Sequence, residues 1–404
     1  MATRLPFILG FLPLLACGEE RNPNYCPGAN PDNNCAEIDA ASDGVYACTT
    51  SAQCSSPNAV CDTSQMTCVQ CTPSEDSACS GTTPVCGSDD TCHACSAHGQ
   101  CASDVCLPDG SCSDGSNVAY VDPAGTDNTS CTKAMPCTKV AKALATLRAF
   151  IKFHGSTDEQ VSINNQNVTL LADPGAKLTS TSNGLLLEVR GTSQVAVYDL
   201  EISGASGTNG FGISMPTGNT ATVTLRRANV LNNAAGGISI SGGQFDIVNC
   251  IIATNGGGAS TLGGIKIDGI TTAGTHRLDF NTITANIGPA TVNTGVTCGT
   301  VLTSLTFSDN IIFANVVSGG GTQIGGSANC STSYSDIGPD PATGTGNINA
   351  DPLFVSSSGG DFHLTANSPA KDAADPAATL DVDIDGDTRP QGSGRDMGAD
   401  EYKP

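Results

Sequence analysis

Four segments between residues 229 and 315 bracket a short apolar run between asparagines: NVLNN from Asn229, NCIIATN from Asn249, NTITAN from Asn281 and NIIFAN from Asn310. After each of the first three comes a glycine that opens an alternating stretch. These are GISI at Gly237, GIKI at Gly264 and GVTC at Gly295, with GISM at Gly212 one unit earlier. The glycines lie 25, 27 and 31 residues apart, a period that marks a solenoid. Alternation puts Ile213, Ile238, Ile265 and Val296 on one face beside Met215, Ile240, Ile267 and Cys298, with Ser214, Ser239, Lys266 and Thr297 opposite. A period-two apolar face that recurs every unit is a half-buried strand stacked on its own copies. Stacked strands are about 4.8 Å apart, so an Asn at each bend can bond its amide to the Asn above and below. Asn233, Asn255, Asn286 and Asn315 are expected to form that ladder, at a bend whose left-handed backbone Asn tolerates. Asn229, Asn249, Asn281 and Asn310 should mark the start of the preceding strand.

The pattern resembles the right-handed parallel β-helix superfamily of pectate lyases and many bacterial surface proteins, over roughly residues 117–404. The stretch from Tyr120 to Leu147 is similar to that superfamily's opening strand, Gly-rich loop and capping helix. Val140, Leu144, Leu147 and Ile151 share one helical face, Gly155 is the expected stop, and Cys131 with Cys137 should staple the loop. Such a helix would cover the unpaired edge of the first turn. At the other end, NINADPLFV, DFHLTANSPAKDAA and DVDIDGDTRPQGSGRDMGADEY resemble the closing segment of the choice-of-anchor Q group. That resemblance implies surface anchoring and no reaction.

The first sixteen residues read as an export signal: one basic residue (Arg4), an apolar run too short to span a bilayer, then Cys17. LLAC resembles the bacterial lipoprotein motif, although Leu15 departs from its usual small residue. Cys17 would then be the acylated first residue, holding the chain at the outer membrane, facing the periplasm or the cell surface. No later stretch is apolar enough for a membrane span.

Cysteines dominate residues 26–112. Cys48, Cys54, Cys61 and Cys68 form one unit, Cys71, Cys79, Cys86 and Cys92 a second, and Cys95, Cys101, Cys106 and Cys112 a third, with Cys26 and Cys35 left as a pair. CVQC and CHAC, with His93 and His98 nearby, have zinc-ligand spacing. Export and the cysteines left over in each unit favour disulfides instead. Each unit is too poor in apolar residues to fold on a core, so its bridges must replace one. Each four-Cys unit allows three pairings, and the states of Cys250, Cys298 and Cys330 stay open. The expected organisation is a signal (1–16), a lipid-anchored tether (17–25), a disulfide-rich spacer (26–115), the β-helix entry and cap (117–155), its turns (156–355) and a closing segment (356–404).

Seventeen Lys and Arg against 39 Asp and Glu give a net charge of −22, which excludes a nucleic-acid partner. Along the outward side of the Gly-led strands, Ser239, Lys266, Asp268 and Thr297 form a candidate ligand face. One acid and one base without a second carboxylate make a surface ion pair a better reading than a catalytic dyad. The reading is a non-catalytic display of a face for glycans or other surface polymers. A polysaccharide lyase or glycosidase and a structural envelope component are the alternatives. Asp381, Asp383, Asp385 and Asp387 reproduce the first half of a calcium loop, but Gly392 stands where the bidentate Glu belongs. Calcium bound there competes with a solvated acidic loop closed by Arg389 and Arg395.

Overall fold

The computed structural model describes residues 47–257, 262–270, 274–289, 295–301, 304–317, 322–326, 330–340 and 343–404. Cys17, Cys26 and Cys35 lie outside them. Three long sheets of nine, eight and seven strands carry the described architecture, and every strand pair within them is parallel. Each turn of chain gives one strand to each sheet in the same order. Thr222–Arg226 enters the first sheet, Asn229–Leu231 the second and Gly236–Ser241 the third. The next turn repeats this with Gln244–Val248, Ile251–Ala253 and Ile265–Asp268, in register beneath them. This is a right-handed parallel β-helix.

Its core is a set of columns. Ile213, Ile238, Ile265 and Val296 pair in succession, as do Met215, Ile240, Ile267 and Cys298, and all are buried. In the first sheet Val197, Leu225 and Ile247 make another column. Each fully buried side chain of this size contributes about 1.5–3 kcal/mol. With few aromatics to fill space, the core depends on this stacking of β-branched and leucine side chains.

The bend between the second and third sheets holds the ladder. Asn233 Nδ2 donates to Asn255 Oδ1 at 2.9 Å, Asn255 to Asn286 at 2.9 Å and Asn286 to Asn315 at 2.7 Å. Gln323 ends the row by accepting from Asn315 at 2.8 Å. The left-handed residue, however, is the one before each ladder Asn: Asn232, Thr254, Ala285 and Ala314, with φ of 53–57°. The glycine that opens the next strand has a packing reason. A Cβ on Gly237 would stand 2.6 Å from Gly264 O and 3.0 Å from Asn255 Nδ2.

The earlier asparagine of each bracket behaves differently. Asn281 and Asn310 stack at 3.1 Å on the bend between the first and second sheets, and Asn281 Oδ1 accepts from Cys250 N–H. Asn229 and Asn249 do not join them. Asn229 is one residue late, paired with Ile251, and Asn249 is one residue early at φ 61°. A one-residue offset in a bend removes the side chain from the column entirely.

The entry helix is shorter than its apolar spacing suggests. It spans Val140–Ala145 and buries Val140 and Ala143, with Glu159 accepting from the N–H groups of Val140 and Ala141. Leu147 is left-handed and 78% exposed, while Ile151 belongs to the strand Phe150–Phe153. Pairing of that strand with Val118–Val121 and Asn167–Ala172 satisfies more backbone groups than another helical turn would.

The described chain divides into two compact units, one reaching Ala78 with Cys86–Thr91, the other comprising Cys79–Val85 and Cys92–Pro404. Every complete four-Cys unit pairs its first cysteine with its third and its second with its fourth. The bonds are Cys48–Cys61, Cys54–Cys68, Cys71–Cys86, Cys79–Cys92, Cys95–Cys106 and Cys101–Cys112. Cys131–Cys137 and Cys298–Cys330 are also bonded. The third unit packs on the outer face of the first sheet: Tyr120 Oη donates to Ser103 O at 2.6 Å, and Lys133 meets Asp104 at 2.7 Å.

Much of residues 356–404 runs as a strap along the flank of the β-helix. Asn249 donates to Val382 O, Ala399 N–H to Thr282 Oγ1 and Gly398 N–H to Asp309 O, so the strap grips three successive turns. Leu364, Ala370 and Met397 of the strap pack with Val248, Phe280 and Ile311 of the turns in a second apolar cluster.

Candidate functional site

On the third sheet Ser239, Lys266 and Thr297 stand in register, with Asp268 beside Ser241 of the preceding turn. Lys266 Nζ lies 3.4 Å from Asp268. The carboxylate is nevertheless committed elsewhere: its Oδ1 accepts from Thr300 N–H at 2.8 Å and Gly269 N–H at 2.9 Å. Those bonds, Thr300 first, hold its pKa below the usual value. An anionic carboxylate that braces a turn is a poor proton donor, and no second acid stands in register with it.

The outer face of the first sheet has more charge than the sequence revealed. Arg226 meets Asp246 at 2.5 Å, Arg227 forks onto Asp199 at 2.6 and 2.9 Å, and Arg277 meets Asp279 at 2.6 Å. The stretch His276–Asp279 that carries the last pair is a strand. Near the entry, Lys152 is wholly buried with Nζ 2.5 Å from Asp173, which His154 also contacts at 2.6 Å. Burial pushes the Lys152 ammonium pKa down while Asp173 opposes it. Burial also raises Asp173, but His154 and Lys152 bring it down to about 2. With Lys152 sealed from solvent, the group acts as an internal brace.

Where the strands of this sheet begin lies a shallow groove lined by Phe150, Asn167, Thr169, Gln194, Thr222 and Thr224. Asn167, Gln194, Thr222 and Gln244 are one column, so each turn presents one amide or hydroxyl. Period alone could not single out this face, because it alternates like the others.

The four loop aspartates do not converge. Asp381 meets Arg395 at 3.2 Å, and Asp387 meets Lys403 at 2.8 Å. Buried Asp383 accepts from the N–H groups of Asp385, Asp387 and Glu401. Asp385 instead bonds His363 Nε2 at 2.9 Å, and Asp361 holds His363 Nδ1 at 2.5 Å. His363, within DFHL, was missed; the alternation of Asp361 with His363 on a short strand was its signal.

Cys250 is the free thiol among the described residues; it is fully buried, and burial raises its pKa to about 12. A thiol reagent should leave Cys250 unmodified in the native chain and label it once the fold is opened by denaturant without reductant. Rapid native labelling would show that the core opens there.

Fold and registers together define a class: a disulfide-rich parallel β-helix protein. No family model matches the chain, and no curated protein matches it. One solved structure to which it is similar is titled as the pectate lyase Pel9A, at 14% identity and a TM-score of 0.44, covering 71% of this chain and 96% of that one. Among the described residues no helix is long and apolar enough to cross a membrane.

Proposed function

We propose that this chain is a lipid-anchored envelope protein of the choice-of-anchor Q kind that displays a β-helix for binding glycans or similar surface polymers. Acylation at Cys17 would tether it to the outer membrane. Eight disulfides among the described residues support an oxidising compartment outside the cytosol. The observation that carries the reading is the column of amides and a hydroxyl along the groove of the first sheet. A polymer lying along the β-helix axis meets Asn167, Gln194 and Thr222 once per turn, about 4.8 Å apart, with Phe150 offering a ring for stacking.

The test is a glycan array with the Cys17→Ser chain, paired with a turnover assay on every polymer that binds. Asn167→Ala with Gln194→Ala should weaken binding at least tenfold while leaving the melting curve within a degree or two. Turnover abolished by Asp268→Ala would sink the non-catalytic reading in favour of a lyase or glycosidase. Absence of any polymer ligand would leave the structural envelope component.

A further inference from the structure

The strap contains a cluster that the proposed polymer face does not use. His363 comes from the strand Asp361–Leu364, Asp385 from the acidic loop and Asp400 from the tail. Their ligand atoms all lie within 4.8 Å of one another. We propose that His363 Nε2, Asp385 and Asp400 bind one divalent first-row transition ion, with Zn2+ as the reference probe, and that this ion pins three segments of the strap together.

Three observations carry the proposal. The imidazole is already oriented: Asp361 Oδ1 takes Nδ1 at 2.5 Å, which leaves Nε2 facing Asp385 Oδ2 at 2.9 Å. A carboxylate on the far ring nitrogen is the arrangement that fixes the tautomer of metal-bound histidine. Asp400, only 6% exposed, is the second. Its Oδ2 accepts from Leu364 N–H at 2.6 Å, and no donor among the described residues bonds its other oxygen. That leaves one oxygen of a nearly buried carboxylate open beside an imidazole and another carboxylate.

The donor set is the third. One imidazole and two carboxylates suit Zn2+, Mn2+ or Co2+, whereas calcium takes oxygen ligands alone. Two carboxylates with a dication and a neutral imidazole sum to zero charge. Binding displaces the proton that Nε2 shares with Asp385, and that proton leaves to solvent. Asp383 is not a ligand, because three backbone N–H groups already occupy its oxygens. The acidic loop therefore contributes Asp385 alone, and the ion lies beside the loop rather than within it.

The experiment uses the full chain, stripped with chelator and titrated separately with zinc and calcium by calorimetry and thermal melting. One Zn2+ per chain is expected, with a melting shift that chelator reverses and calcium does not produce. His363→Asn and Asp385→Asn should each weaken binding a hundredfold or more, whereas His93→Asn should change nothing. Asp361→Asn touches no metal and should weaken binding about 10–100-fold. Circular dichroism checks each variant; if His363→Asn fails to fold, Asp385→Asn decides, since its side chain is 52% exposed. The proposal is overturned by wild-type protein that binds no stoichiometric zinc, by equal affinity in a folded ligand variant, or by calcium binding as tightly as zinc.

Discussion

Asn286→Leu is expected to unfold the middle of the β-helix. Leu matches Asn closely in shape, so the loss comes from hydrogen bonds rather than a cavity. The Asn286 amide donates to Ile252 O at 2.9 Å and to Asn315 Oδ1 at 2.7 Å. Its oxygen accepts from Asn255 N–H at 3.0 Å and from Asn255 Nδ2 at 2.9 Å. Without it the buried N–H of Asn255 has lost its acceptor, and three further groups each lose a bond. At about 1–3 kcal/mol for each buried group left unmade, two to three such losses amount to about 2–9 kcal/mol. That is comparable with the whole stability of an ordinary domain, about 5–15 kcal/mol. Asn229→Leu is the control. It belongs to the same sequence pattern but its side chain stands outside both stacked columns, so its effect should stay within about 0.5 kcal/mol. Urea midpoints of the two variants measure the difference. Equal losses would mean that the ladder does not hold the turns together.

That contrast shows how far the sequence could be read. The Gly-Ile-x-Ile columns were legible because alternation and spacing are properties of single turns, and stacking simply repeats them. The ladder at Asn233, Asn255, Asn286 and Asn315 was legible for the same reason. The earlier brackets misled because register in a bend depends on one residue, and Asn229 and Asn249 fall on either side of the column that Asn281 and Asn310 occupy. The partners of Arg226 and Arg227 escaped because Asp246 and Asp199 come from neighbouring turns, at separations of 20 and 28 residues set by loops of unequal length. Disulfide pairing in the four-Cys units was open in principle, since each unit permits three arrangements. The strap was least legible. Its motifs were visible, but its docking on Asn249, Thr282 and Asp309 joins residues 66 to 133 positions apart, which no local pattern encodes. His363 acquires a role only once that docking brings Asp385 and Asp400 to it.

Arg389→Ala should release the strap while leaving the β-helix folded. The guanidinium is fully buried and makes the strap's densest set of bonds. It donates to Asp396 O and Gly398 O, each at 2.9 Å, and meets Glu401 Oε2 at 3.3 Å. It also sits 5.2 Å over the ring of Phe280, which follows the strand His276–Asp279, and so fastens the strap to that turn. Truncation leaves Glu401 buried without its cation, a change that costs about 3–5 kcal/mol. Glu401→Gln keeps an acceptor for only one of the Gln391 and Asp396 N–H groups, which Oε1 and Oε2 accept separately, but it leaves the guanidinium bonded to Asp396 O and Gly398 O, so it should cost less than Arg389→Ala. The damage should stay local, because the apolar cluster that joins strap and turns lies apart from the columns that fill the β-helix. Hydrogen exchange reads this directly: amides from Ala374 to Glu401 should lose protection in Arg389→Ala, while those of Ile238, Ile265 and Val296 keep theirs. Loss of protection throughout would mean instead that the strap is part of one cooperative unit with the turns it grips.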